Sequence, residues 1–427
     1  MGFSNIMDSN SYSGGSAAEP LIAARQQVLG PAYRLFYDRP VHLVRGEGCY
    51  LFDADGTRYL DAYNNVASVG HAHPHVVDAV SRQLATLNTH TRYLHDAIVD
   101  YSRRLLATMP APVDQVMYAC TGSEANDLAL RVAAMHTGAT GVVITADAYH
   151  GNTAAVTAIS PSLGGATSLG PHVRTVAPPA RGAGRFADEV ADAIDDLQAA
   201  GHGLSCLIVD TIFSSDGVYP DPAVLAPAVA AVHAHGGVFI ADEVQPGFAR
   251  TGESMWGFDR HAVVPDLVTM GKPMGNGMPV AAMAARSEVL AAFATGVPYF
   301  NTFAGNPVSM AAAAAVLDVI DSERLQTNAA NVGTALREEL RRLAADHARL
   351  GEVRGAGLYL GVEVLTGAGE PDRAAARWLV NTLRERRVLL SVCGHDGNVL
   401  KIRPPLVFSM ADLDWFCSEF AAVTADL

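Results

Sequence analysis

Short apolar runs alternate with helix-period stretches along most of this chain, and the two periods predict different elements. The runs at 116–119, 142–145, 204–209, 238–241 and 267–270 are apolar without alternation, as in parallel strands buried on both faces. Helical patterns separate them: one runs from the CTGSEAND turn to about 136, and others cover 186–200 and 222–235. Residues 160–185, rich in Gly and Pro, read as an irregular loop. Strand and helix taking turns predict an α/β architecture with an open, mostly parallel sheet.

The flanks have a different character. Residues 19–37 predict a helix and a turn, followed by strands at 42–44 and 49–53, the second paired with 58–61 across Asp55-Gly56. A helix is expected over 74–87, with Val76, Val77, Val80, Leu84 and Leu87 along one side. Helices at 307–320 and 325–345 precede a strand at 353–364, a helix at 372–387, short strands near 388 and 399, and a closing helix from 412. The expected organisation is an N-terminal arm and part of a small domain over 1–64, a large domain over 65–320, and a C-terminal small α+β domain over 321–427.

A formal charge of −14 over 427 residues argues against nucleic acid or an anionic membrane as the main partner. No apolar segment is long enough to span a bilayer; even the alanine run 311–315 lies in a short amphipathic stretch. The start, MGFSNIMDSNSYSGGS, lacks the basic and apolar regions of a secretory signal, and Ile6 stands where myristoylation needs Ser or Thr. It reads as a flexible arm or a segment ordered by a partner subunit. Five cysteines without CxxC pairing suggest reduced thiols in a cytoplasmic protein.

Open parallel sheets bind ligands at the carboxyl ends of their strands. Gly122 and Ser123, Tyr149, Asp210, Asp242 and Lys272 each follow a predicted strand. Ser123 is suited to N-cap the helix after it, leaving backbone N–H groups for a phosphate. Asp242 and Lys272 lie 30 residues apart at the ends of two runs, the second entering a turn of Pro273, Gly275, Gly277 and Pro279. Lysine forms a Schiff base with an aldehyde and a buried acid holds a pyridine nitrogen, so the pair suggests pyridoxal phosphate. His71, His73 and His75 alternate, yet no Cys or carboxylate at metal spacing accompanies them and Pro74 breaks a strand; they read as a polar loop rather than a metal site. A non-catalytic phosphate- or nucleotide-binding protein, resting on the Ser123 helix start alone, and a metallohydrolase built on the three histidines are the competing classes.

Together, CTGSEAND, AYHG, IADEVQ, PDLVTMGKPMGNG and NTFAGNP resemble the class III, ornithine-aminotransferase-like branch of fold type I pyridoxal-phosphate enzymes, from about residue 33 to the C-terminus. The resemblance implies a large domain with a mostly parallel seven-stranded sheet and a smaller α+β domain. It implies that Lys272 carries the cofactor, Asp242 pairs with its ring nitrogen, Tyr149 stacks on the ring, and Val244 and Gln245 lie on the other side. Gly122 and Ser123 would bind its phosphate with Thr302 of a neighbouring subunit, which makes a homodimer obligatory and leaves pairing into tetramers open.

Within the branch, YNNVASVGHAHP, LNTHTRYLHD and VLKIRPPL are most similar to the ethanolamine-phosphate phospho-lyase subgroup. That similarity implies elimination of phosphate from O-phosphoethanolamine to give acetaldehyde, ammonia and phosphate. The alternative is an aminotransferase with an amine or amino acid donor and a keto acid acceptor. Lys401 stands where aminotransferases of the branch have an arginine that grips a carboxylate, with Arg403 close by; lysine cannot reproduce the planar two-point contact. His71, His73, Arg92, Tyr33 and Arg34 are further candidates for the substrate's phosphate end. Met278 stands where the subgroup usually has His, Ala249 where most of the branch has Gly, and Asp210 where Glu is usual.

Overall fold

The computed structural model describes residues 11–12, 20–165 and 168–427, so the expected N-terminal arm lies almost wholly outside the described residues. Its largest sheet has seven strands, in the order Val113–Ala119, Ala281–Arg286, Leu267–Met270, Val238–Asp242, Leu204–Asp210, Gly141–Thr145, Val173–Val176. Only Ala281–Arg286 runs against the rest. Its residues are mostly alanine and give no alternation, and it was not expected from the pattern. The carboxyl ends of the other strands share one edge, which collects the residues after Ala119, Thr145, Asp210, Asp242 and Met270.

The pattern missed other boundaries for local reasons. The presumed loop 160–185 contains the edge strand Val173–Val176, whose Arg174 and Thr175 break the apolar run. The expected strand 353–364 is a hairpin, Leu350–Ala356 paired with Tyr359–Val364, and it turns at Gly357, a residue with positive φ. The helix expected over 222–235 spans Ala226–Ala234. Thr121, not Ser123, caps the helix Gly122–Thr137: its hydroxyl accepts from Glu124 N at 3.2 Å while Glu124 Oε2 accepts from Thr121 N at 3.0 Å.

Two four-stranded sheets complete the architecture. In one, Tyr359–Val364 pairs with Val399–Ile402, which pairs in turn with Ser391–Cys393. In the other, the hairpin strands Tyr50–Asp53 and Arg58–Asp61 follow Leu43–Glu47, and Leu60 and Asp61 pair in parallel with Val388 and Leu389. The main core runs continuously under the large sheet and the C-terminal sheet, from Phe239 and Met270 to Leu360 and Phe416. Helix Pro307–Ser322 buries Met310, Ala312, Val316 and Ile320 in that core and packs against helix Pro74–Thr86. Among the described residues no helix is long and apolar enough to cross a membrane.

Candidate active site

A cavity of about 340 Å³ opens at the shared strand edge, lined by residues including Gly122, Ser123, Tyr149, Asp242, Gln245 and Lys272. Lys272 follows the Leu267–Met270 strand and begins a short 3-10 turn with Pro273. The turn lies tight against the Gly122 helix: a Cβ at Gly271 would stand 3.2 Å from Gly122 N. Burial pushes the Lys272 amine down to about 8; Arg403 and Lys401 push the same way, and Asp242 and Asp210 oppose them.

Asp242 is held from three directions. Its Oδ2 accepts from Asn126 Nδ2 at 3.0 Å and lies 2.8 Å from His150 Nδ1; its Oδ1 accepts from Val244 N at 3.1 Å. Asn126 is itself fixed, donating to His150 O at 2.7 Å and accepting from Thr269 Oγ1 at 2.6 Å. Thr269 sits on the strand that leads to Lys272, so one hydrogen-bond chain spans the acid and the lysine's support. Asp210 lies in register beside Asp242 on the next strand. Both its oxygens are committed to its own turn, to Ile212 N at 3.0 Å and to Ser214 N at 3.2 Å and the Ser214 hydroxyl. Burial, and then Asp242, raise the Asp210 carboxyl's pKa.

Glu243 points to the other face of its strand, as strand alternation requires. There it accepts from Thr211 Oγ1, Gly257 N and Phe258 N at 2.6, 2.7 and 2.9 Å, fully buried, with burial raising its pKa to about 8. It braces the loops behind the site and does not face the cavity.

The end of the C-terminal sheet reaches the cavity's edge through Arg403, which bonds the cavity-lining Gln245. Arg403 is buried, donating from Nε to Tyr63 O at 3.0 Å and from Nη1 to Gln245 Oε1, with its guanidinium 4.8 Å from the Tyr63 ring and 5.6 Å from the Tyr359 ring. Neither Lys401 nor Arg403 has a carboxylate partner among the described residues, and neither Lys401 nor Lys272 donates a hydrogen bond there. The Tyr359 hydroxyl is buried without a partner as well. Asp210 and Asp242, which act on Lys272, are bonded to Ser214 and Asn126, so neither pairs with Lys401 or Arg403.

The residues fit pyridoxal phosphate. The capping box leaves the Gly122 and Ser123 N–H groups at the start of a 16-residue helix unused, which suits a phosphate. That helix start admits no extra atom from Gly151, whose φ is +138° and whose Cβ would meet Ser123 Oγ at 2.3 Å. Asp242, held as an acceptor at the cavity floor, suits a protonated ring nitrogen. Tyr149, half-buried with its phenol pKa raised by burial and then by Asp242, supplies a flat flank. Lys272 offers the one amine that lines the cavity.

The structure therefore brings together Gly122, Ser123, Tyr149, Asp242, Val244, Gln245 and Lys272, and sets Lys401 and Arg403 close enough to depress the Lys272 amine. The remaining candidates do not line the cavity. Thr302 is exposed. His71 Nε2 lies 2.7 Å from Asp61, and His73 accepts from His75 N at a helix start with its Nε2 3.0 Å from Glu323. Tyr33 stands under Arg25, Arg34 is exposed beside it, and Arg92 stacks on Phe300 at 3.9 Å. Asn126, His150 and Thr269 were not read from the sequence; His150 lay within AYHG, but its partner Asp242 is 92 residues away. One available signal was the amine count: of 30 Lys and Arg residues only two are lysines, Lys272 and Lys401.

Comparison with known proteins accords with this geometry. The family model "Aminotransferase class-III" matches residues 36–424. A Drosophila melanogaster protein named alanine–glyoxylate aminotransferase 2-like is 42% identical over 93% of this chain and 85% of its own length. A Caenorhabditis elegans protein named ethanolamine-phosphate phospho-lyase homolog 1 is 36% identical over 92% of this chain and 90% of its own. The solved structure of a phospholyase from Arthrobacter in complex with phosphoethanolamine superposes with a TM-score of 0.93 at 42% identity, covering 95% of this chain and all of that one. The fold, the family match and the cavity lead to one statement: this chain belongs to the class-III aminotransferase family, and its cofactor is pyridoxal 5'-phosphate.

Proposed function

We propose that the protein is a phospho-lyase that eliminates phosphate from O-phosphoethanolamine, releasing acetaldehyde, ammonia and phosphate. The observation that carries this reading is a pair of cations, Lys401 and Arg403, close enough to depress the Lys272 amine and without a carboxylate partner among the described residues. An amino acid substrate calls for a planar fork, and position 401 offers an ammonium instead. The Arthrobacter phospholyase with bound phosphoethanolamine supports the same substrate class.

When bound, pyridoxal phosphate would supply an aldehyde for the substrate amine and a sink for the electrons of the breaking C–H bond. The chain's residues do the rest. Lys272, displaced by the substrate amine, removes the proton from the carbon bonded to nitrogen. Asp242, fixed by Asn126 and His150, would keep the ring nitrogen protonated, and Tyr149, Val244 and Gln245 would hold the ring. Gly122 and Ser123 would hold the cofactor phosphate with Thr302 of the partner subunit. Lys401 and Arg403 draw the departing phosphate, so that it leaves before a proton returns to the cofactor. The reading includes a cytoplasmic homodimer with shared sites. The 71% exposure of Phe303 beside Thr302, and the grouping of His90 with Tyr93 and Phe300, support that contact.

The name of the Drosophila relative favours a second reading, an aminotransferase using a keto acid such as pyruvate, glyoxylate or 2-oxoglutarate. Holoenzyme mixed with O-phosphoethanolamine and no keto acid separates the two. Sustained release of phosphate and acetaldehyde is expected; a single turnover that leaves the cofactor aminated would overturn the lyase. Lys272→Ala protein should lose the absorbance band of lysine-bound cofactor.

A further inference from the structure

Two amines in a chain that otherwise uses arginine for every strong cation pose a chemical question. Lys272 must be a lysine, because a guanidinium does not form the Schiff base. Lys401 is the only other position where the chain retains a side-chain amine. It stands two residues before Arg403, whose guanidinium donates to the cavity-lining Gln245, and it is close enough to Lys272 to depress that amine. If the site needed charge alone, arginine would bind a phosphate at least as well. Arginine, however, cannot give up its proton in a protein, whereas an ammonium can.

Resting on the phospho-lyase reading, we propose that Lys401 is the general acid of the elimination, handing a proton to the phosphate oxygen as the C–O bond breaks. A phosphate monoester with a second pKa of about 6 is a dianion at neutral pH. Cleavage of its C–O bond would release the phosphate trianion, a strong base and therefore a poor leaving group. With Lys401 the balance changes. The C–O bonding pair goes to the bridging oxygen, a proton moves from Lys401 Nζ to that phosphate, and hydrogen phosphate departs. Neutral Lys401 regains its proton from water once the product has gone.

The surroundings fit this role. Lys401 lies on the Val399–Ile402 strand, across from Ser391 and Gly361. A Cβ at Gly361 would stand 2.9 Å from Val399 Cγ1 and 3.2 Å from Val218 Cγ2, so the lysine's neighbour is kept small where the two domains meet. Burial pulls the Lys401 amine down, and Tyr359 and Cys393 more than offset it, so the group stays an ammonium until it is asked for its proton. With no carboxylate and no hydrogen-bond acceptor among the described residues, that proton is uncommitted. Arg403 has neutral acceptors in Tyr63 and Gln245 and serves as the fixed grip.

The test uses Lys401→Arg holoenzyme, which retains the charge and removes the transferable proton. Calorimetry with inorganic phosphate should give a Kd within about threefold of the parent, as two charge-assisted partners remain. Phosphate release at saturating O-phosphoethanolamine should fall by roughly 100-fold or more, the usual scale of general acid catalysis. In deuterium oxide, recovered O-phosphoethanolamine should still gain deuterium at the carbon bonded to nitrogen, because Lys272 continues to break that C–H bond. Release that stays within about threefold of the parent, or release and deuterium uptake falling together, would overturn the assignment and leave Lys401 as a binding charge. Should the arginine protein lack the lysine-bound cofactor band, Lys401→Gln is read by the same partition between deuterium uptake and phosphate release. A parent enzyme that releases no phosphate refutes the phospho-lyase reading itself, which is a separate outcome.

Discussion

With two lysines in the chain, the protonation of Lys272 can be measured directly. Burial, Arg403 and Lys401 lower its pKa from 10.5 to about 8. At about pH 7.5 that makes roughly a quarter of the apoprotein's Lys272 neutral, against ~0.1% for an ordinary lysine, a gain on the order of 200-fold in the form that attacks an aldehyde. The shift corresponds to about 3 kcal/mol in favour of the uncharged amine, at about 1.4 kcal/mol per unit. Reductive methylation of the apoprotein with isotopically labelled formaldehyde should give one resonance for the α-amine and two for side chains, and Lys401→Arg assigns them. The Lys272 resonance should titrate near 8 and the Lys401 resonance above 10.5, the direction its surroundings impose. Lys401→Met removes a neighbouring positive charge and should move the Lys272 midpoint upward, whereas Asp242→Asn removes a stabilising negative charge and should move it downward. A Lys272 midpoint above 10, or midpoints indifferent to both substitutions, would refute the claim that these neighbours tune the amine.

Other consequences can be measured separately. Asn126→Ala strips Asp242 of a buried donor and leaves Thr269 Oγ1 without its acceptor; urea unfolding of the apoprotein should show a loss of about 1–3 kcal/mol, and a change below about 0.5 would count against the network. Gly151→Ala forces a methyl onto Ser123 at the helix start, and cofactor affinity by fluorescence quenching should weaken about tenfold or more, an unchanged Kd being the contrary result. Sedimentation of the holoenzyme should show a dimer, and Phe303→Glu should shift it toward monomer with weaker cofactor retention; a dimer unaffected by that charge would place the contact elsewhere.

The positions at strand ends were legible because each ends an uninterrupted apolar run, as Asp242 does after 238–241 and Lys272 after 267–270. Elements without such a contrast were not. The Ala281–Arg286 strand is built from small residues that fit helix and strand alike, and the hairpin at Gly357 hides in one continuous apolar stretch. The capping residue was misplaced by two because Thr121 and Ser123 are chemically equivalent caps, and only Glu124 three residues after Thr121 distinguishes them. Asn126 and His150 converge on Asp242, with Thr269 bonded to Asn126, from three different parts of the chain, and linear spacing carries no trace of that convergence.

The parallel pairing of Leu60 and Asp61 with Val388 and Leu389 has a consequence for biosynthesis. More than 300 residues separate the two partners, so at ~5–20 residues per second the ribosome needs on the order of half a minute to deliver the second. During that interval the Arg58–Asp61 strand presents an open hydrogen-bonding edge, an invitation to pair with another nascent chain. Completion of this small sheet thus waits on the end of translation, and the chain that carries the catalytic lysine closes its first-made β element nearly last.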